Sequence, residues 1–291
     1  MMNQRPSHVW IGIAISIFTS LTTLTPVDVQ AGVIYRETFG VPPPPTSTVD
    51  YSPKALDWQR FDNNGAEITT TGTASGVNFS VQGRLNDVSN VNAGPNADGT
   101  FDPYTNGLLY FADAVSPSLG FTTEFSFNPA NYVPGSIAFS WYEGNNTAPH
   151  LFRVLVRNSA GWFASAATFS TAAITLANFG TQAELKTLTY NPAPSNWLMV
   201  NFNGDYTLGA TPGSGFATNS TLGAVSLGAA PIAPLSGPIT AFGVFGERGG
   251  TGTGNRRIDT FQIDALPVPE PSSIGFLAMA GIAFLNASRR R

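Results

Sequence analysis

The sequence predicts an all-β protein, an antiparallel sandwich, on three observations. Apolar and polar residues alternate with a period of two along most of the chain and almost nowhere follow the 3.6 period of a helix. Gly 30 and Pro 22 punctuate the chain at short intervals, which breaks it into short elements joined by turns. Charged residues make up only 11% and apolar ones 42%, enough to fill a core. About ten short strands between such turn signals are the pattern of two packed antiparallel sheets.

The first strand is expected at Val33–Phe39, followed by Gly76–Gln82, Gly107–Phe111, Thr122–Phe127 and Ser136–Tyr142. The plainest hairpin comes next. Phe152, Val154 and Val156 alternate with Arg153, Leu155 and Arg157, Asn158-Ser159-Ala160-Gly161 supplies a turn, and Trp162-Phe163-Ala164 returns. Glu184–Tyr190, Trp197–Asn203, Ile239–Gly246 and Arg257–Leu266 complete the series. Pro42–Pro45, Gly209–Gly215 and Ser226–Pro238 read as loops within one domain. The strand before the four prolines is too short to stand alone, and its backbone groups need partners. Tyr35-Arg36-Glu37-Thr38-Phe39 and Arg257-Ile258-Asp259-Thr260-Phe261-Gln262-Ile263 are expected to lie side by side as first and last strands, because domain termini usually meet.

Composition excludes several functions. With Cys 0 there is no disulfide framework, no thiol chemistry and no cysteine-held zinc. Between residues 32 and 268 ten bases face sixteen acids, net −6. That balance excludes a nucleic-acid binder and suits neutral ligands, or ones bridged by a divalent cation.

The two ends read as addresses. Arg5 and His8 precede an apolar run from Val9 to Leu24, and Val29-Gln30-Ala31 places small residues where a signal peptidase inspects them, so residues 1–31 read as a secretory signal helix. The alternative is a retained anchor helix, and either way the chain crosses a membrane. At the other end Pro269-Glu270-Pro271 is followed by an apolar helix from Ile274 to Leu285 and by Arg289-Arg290-Arg291. That span is short for a bilayer, and the arginines hold its end on the cytoplasmic side. Residues 267–291 in these three parts resemble the PEP-CTERM sorting domain of Gram-negative bacteria. The resemblance implies processing by an exosortase-type membrane protease that reads Pro269, Glu270 and Pro271, with Arg289, Arg290 and Arg291 as the stop. It implies export to the cell surface or an exopolysaccharide matrix, with transient or permanent membrane anchoring through the C-terminal segment.

Residues 32–266 then form the cargo. Its opening and closing strands resemble those of concanavalin A-like, laminin G-like and carbohydrate-binding-module jelly rolls. In such modules a structural calcium sits near the terminal strands, which makes Glu37 and Asp259 its candidates here. Two carboxylates alone do not supply the six to eight oxygens of a calcium site, and pairing with Arg36, Arg256 or Arg257 is the alternative.

Catalytic sets are sparse. Glycoside hydrolysis needs two carboxylates a few ångströms apart, and Glu124 and Glu143 are the available pair, but Glu124-Phe125-Ser126-Phe127-Asn128-Pro129 lacks the further acids of the laminarinase-like branch. His150, the other histidine being His8, reads as a loop residue beside Pro149 with no triad to serve. Gly249–Gly254 lacks the lysine of a phosphate loop. Asn90, Asn92, Asn96, Asp98 and Asp102 match a calcium loop only in part, since Thr105 stands where a bidentate glutamate belongs, and Asx-turns account for them. Trp58, Tyr142 and Trp162 are the candidates for stacking on sugar rings. Trp141 shares the parity of Ile137 and Phe139 and reads as core, which turns Tyr142 the other way. The expected function is that of an exported, non-enzymatic surface or matrix protein associated with exopolysaccharide. A carbohydrate-binding module is the alternative, with calcium as its one candidate cofactor, and a divergent hydrolase is the third reading.

Overall fold

The computed structural model describes residues 31–39, 49–51, 57–65, 79–83, 107–112, 116–145, 150–173, 183–202, 224–248 and 255–268. The expected signal helix and the tail from Pro269 to Arg291 lie outside the described residues, as do Asn90–Asp102 and Gly249–Gly254. Fourteen strands run in order through the described chain: β1 (Gly32–Glu37), β2 (Val49–Tyr51), β3 (Trp58–Phe61), β4 (Phe79–Gly83), β5 (Gly107–Ala112), β6 (Ser118–Thr122), β7 (Ala138–Asn145), β8 (His150–Asn158), β9 (Gly161–Ser165), β10 (Glu184–Thr189), β11 (Trp197–Asn201), β12 (Ser226–Leu227), β13 (Ala241–Arg248) and β14 (Asn255–Ala265). They form two antiparallel sheets. Sheet A follows the order β10-β7-β14-β5-β4-β2 with β1 also on β14, and sheet B the order β12-β11-β9-β8-β13-β6-β3. Among the described residues no helix is long and apolar enough to cross a membrane.

β14 is the spine of sheet A because it pairs on both sides. β7 runs along one side, while β5 takes its first half and β1 its second half on the other, with Glu37 opposite Phe261 and Gly32 opposite Ala265. First and last strands are therefore neighbours, as the sequence predicts.

Alternation decides which side chains meet between the sheets. From sheet A come Tyr35, Phe139, Trp141, Ile258, Phe261 and Ile263; from sheet B come Trp58, Phe152, Val154, Val156, Phe242 and Val244. The ring of Phe242 stacks on Phe261 at 6.0 Å and so joins the sheets. The intervening residues of sheet B, among them Phe61, Phe121, Leu155 and Phe245, are buried in a second apolar cluster. Sheet B is apolar on both faces.

β14 keeps its core pattern only through a bulge. Ile258 faces the core at an even position, Phe261 and Ile263 at odd ones, and the pairing with β7 shifts between Asp259 and Gln262 to allow it. Thr260 absorbs the extra residue at a φ of +48°.

Thr122–Phe127 is not a strand: β6 ends at Thr122, and Phe127 makes an isolated bridge to Ile239 before Asn128 caps the 3-10 turn Pro129–Asn131. β2, β3, β12 and all of β6 before Thr122 lie outside the strands the sequence predicts. Trp58-Gln59-Arg60-Phe61 is buried at every position, so it carries no alternation of polarity to reveal it.

Candidate functional site

Two of the sequence-predicted residues, Tyr142 and Asp259, fall on the outer face of sheet A. Cross-strand pairing sets a row over four strands, Thr187 on β10, Ser140 on β7, Gln262 on β14 and Arg36 on β1. At about 4.8 Å between strands the row is roughly 14 Å long. Toward one end of the sheet the next row holds Leu185, Tyr142 and Asp259, and toward the other Thr189, Ala138 and Asp264. Ser140, Gln262 and Tyr142 are recessed, 6%, 4% and 8% exposed, while Leu185 is 47% exposed and Thr187, Thr189 and Arg36 stand clear at the flanks. Arg36 Nε donates to Gln262 Oε1 at 2.5 Å, and Gln262 Nε2 donates to both oxygens of Asp264 at 2.9 and 2.8 Å. The amide thus bridges a cation to an anion. Ser140 Oγ has no hydrogen-bond partner among the described residues.

Tyr142 and Asp259 are direct cross-strand neighbours on this face. Glu37 is not with them. It pairs with the core residue Phe261 and follows Tyr35 on the inward face, where its carboxylate accepts the Phe39 N–H at 2.6 Å. Glu37 and Asp259 therefore occupy opposite faces of sheet A, and one ion cannot be shared between them. Asp259 is fully buried and accepts Thr260 Oγ1 at 3.2 Å. Among the described residues no three of His, Asp or Glu come together as a metal would need. Burial pushes Glu37 up to about 7, with the negative charges of Glu124 and Asp57 adding to it and the Phe39 N–H opposing.

The two tryptophans read as stacking candidates are enclosed. Trp58 is fully buried between the sheets, edge-on to Phe39 and Phe261, and its Nε1 donates to Tyr35 Oη at 3.3 Å. No face of that indole is open to a sugar. Trp162 is 6% exposed on the other side of sheet B, packed on Phe121 and Phe202 with the Arg157 guanidinium 5.8 Å from its ring centre.

The two carboxylates considered for hydrolysis sit in different environments. Glu143 is enclosed beneath sheet A, accepting Trp141 Nε1 at 3.2 Å and Asn145 Nδ2 at 3.1 Å, and burial pushes it up to about 7 against those donors and Lys186. Glu124 is exposed after β6, and its pKa is raised by partial desolvation and by Asp57. His150 is not a loop residue. It opens β8 with its side chain buried, and burial together with Arg256 and Arg248 pushes it down to about 4.

A cleft of about 470 Å³ opens at one end of the sandwich, lined by Pro129, Tyr132, Pro134, Tyr190, Pro192 and Leu235 among others. Sequence reading gave no sign of it, because its walls come from three loops that meet only in the fold. Leu235 N bonds Pro192 O, and Val268 N bonds Asn131 O.

No family profile matches the chain, and no curated protein does. Two solved structures are similar to it at a low level. A family 22 carbohydrate-binding module of Clostridium thermocellum overlaps 82% of this chain and 97% of its own at 13% identity and a TM-score of 0.29. A glycosyl hydrolase family protein from Mycobacterium fortuitum overlaps 80% of this chain and 99% of its own at 11% identity and a TM-score of 0.27.

Proposed function

We propose that this chain is an exported surface or matrix protein that holds neutral polysaccharide on the outer face of sheet A. The observation that carries the reading is the row Thr187, Ser140, Gln262 and Arg36. It sets two hydroxyls, an amide and a guanidinium in line, exposed at Thr187 and Arg36 and recessed at Ser140 and Gln262, over a length that suits two or three sugar rings. Leu185 beside Tyr142 gives an apolar patch at its edge. Sugars present hydroxyls that both donate and accept, so a floor of mixed donors and acceptors fits them, and the patch takes the apolar side of a pyranose. The jelly-roll resemblance of the terminal strands agrees with this reading. So does the PEP-CTERM-like tail, which implies an exosortase-type partner and delivery to the envelope. The different settings of Glu124 and Glu143 favour a binder over a hydrolase.

Retention of the purified chain on the producer's own exopolysaccharide, with released reducing sugar assayed in the same samples, tests the reading. Gln262→Ala and Tyr142→Ala should each weaken retention about tenfold, the worth of one hydrogen-bonding or stacking group. Unchanged retention in both, or turnover of the polymer, would overturn it. Deleting residues 269–291 should release the protein into the medium or leave it unprocessed; an unaltered location argues against the sorting tail.

A further inference from the structure

The end of the sandwich that carries the cleft is also where the cargo meets its two addresses. Gly32 pairs with Ala265 there, next to Ala138 opposite Asp264. The exit is fixed: Val133 N bonds Leu266 O, Tyr132 bridges Pro267, and Val268 N bonds Asn131 O at 3.0 Å. From Val268 to Ile274, where the apolar run of the tail begins, there are six residue steps, at most about 20 Å of extended chain. The headgroup layer takes up roughly 5–7 Å of that. With the tail in a bilayer this end of the sandwich lies within about 15 Å of the lipid surface, whatever the path of the connecting residues.

Its composition matches that position. Residues 125–137, 158–161, 190–193, 228–240 and 266–268 at this end contain no Asp, Glu, Lys, Arg or His, in a chain with 11% charged residues; Asp264, opposite Val33 and Ala138, and Arg157, opposite Ala241, border them. Of the five large apolar side chains exposed among the described residues, three stand here: Ile232 at 104%, Val33 at 49% and Val268 at 49%. A surface with so few charges meets little repulsion from anionic lipids and little desolvation cost at the interface, where tyrosines such as Tyr132 are also favoured.

We infer that this charge-poor end, through the exposed Ile232 and Val268, docks on the lipid surface beside the point where the tail enters the membrane. The inference rests on the reading of residues 274–285 as a membrane segment and adds a contact made by the folded cargo itself. Docking holds the sandwich in one orientation. The strands of sheet A then run along the membrane normal, and the row across them lies parallel to the lipid surface.

Because the chain has Cys 0, single cysteines label it cleanly. The full chain carrying an environment-sensitive fluorophore at Ile232→Cys, or at Glu184→Cys toward the opposite end, is reconstituted into vesicles of phosphatidylethanolamine and phosphatidylglycerol. Quenching by shallow spin-labelled lipid should be about threefold stronger at position 232 than at 184, as for a side chain seated a few ångströms into the interface. It should persist when a flexible Gly/Ser spacer is inserted after Val268. Equal quenching at the two positions, or loss of the difference with the spacer, would overturn docking while vesicle attachment continues to support the tail. A chain that does not remain with the vesicles overturns the tail reading and docking with it.

Discussion

Glu143 shows how much a single interior carboxyl can set. It is enclosed beside Trp141 and Asn145, and burial holds its pKa near 7 against an ordinary 4.5. The folded chain keeps a proton there that the unfolded chain has released. The stability this contributes is complete below about pH 4.5 and is lost as pH rises through 7, a swing of roughly 3 kcal/mol at most. Glu37 acts in the same direction. His150, lowered to about 4, acts in the opposite one, costing stability as pH falls from 6.5. Glu143→Gln removes the charge and keeps the shape, so its melting temperature relative to the parent should climb from pH 5 to about pH 7 and level off above it in thermal scans. A difference that stays flat with pH would mean that the charge is not what burial penalises. None of this was legible in the sequence, where Glu143 reads as one more strand carboxylate. Trp58 was equally silent: Asp57, Gln59 and Arg60 around it suit a ligand site as well as they suit a buried strand edge, and only the meeting of the two sheets decides between them.

Elements were more legible than residues where polarity alternates. The β8–β9 hairpin lies where the sequence places it, with Asn158 opposite Gly161, and β1 lies beside β14. Reading failed where both faces of a strand are buried, as in β3, or where a strand is two or three residues long. It also missed the bulge at Thr260, although the parity change between Ile258 and Phe261 was already in the letters: a side-chain period of two cannot place both in one core without an inserted residue. Glycines carry a further signal that only packing explains. A Cβ on Gly243 of β13 would lie 2.1 Å from Gly120 O and 2.6 Å from Phe121 Cα on β6, both backbone atoms that cannot turn aside. Gly243→Ala should therefore force β13 and β6 apart and cost more than about 3 kcal/mol, read as a fall of roughly 10 °C in melting temperature or as insoluble expression. A variant that melts with the parent would show that the two strands have room that the geometry denies them.

At the scale of the whole molecule, charge is distributed by function. The cargo carries net −6 between residues 32 and 268, one end is poor in charge among the described residues, and on sheet A the Arg36 cation and the Asp264 anion are tied together through Gln262. A ligand on that row meets a locally neutral surface set in an acidic body. Anionic polymers are disfavoured by the body, and neutral ones are held by short-range hydrogen bonds and stacking that dissolved ions do not screen. The two mechanisms separate on a salt series. Between about 50 and 500 mM NaCl the Debye length falls roughly threefold, so retention driven by long-range charge should drop by an order of magnitude, whereas retention of a neutral glycan on this row should change by less than about twofold. The same series run with Arg36→Gln sharpens the comparison, because that change frees Asp264 from its counter-charge and should weaken binding at every salt concentration without introducing a salt dependence. A steep decline with salt in the parent chain would move the ligand off sheet A and onto a charged surface elsewhere.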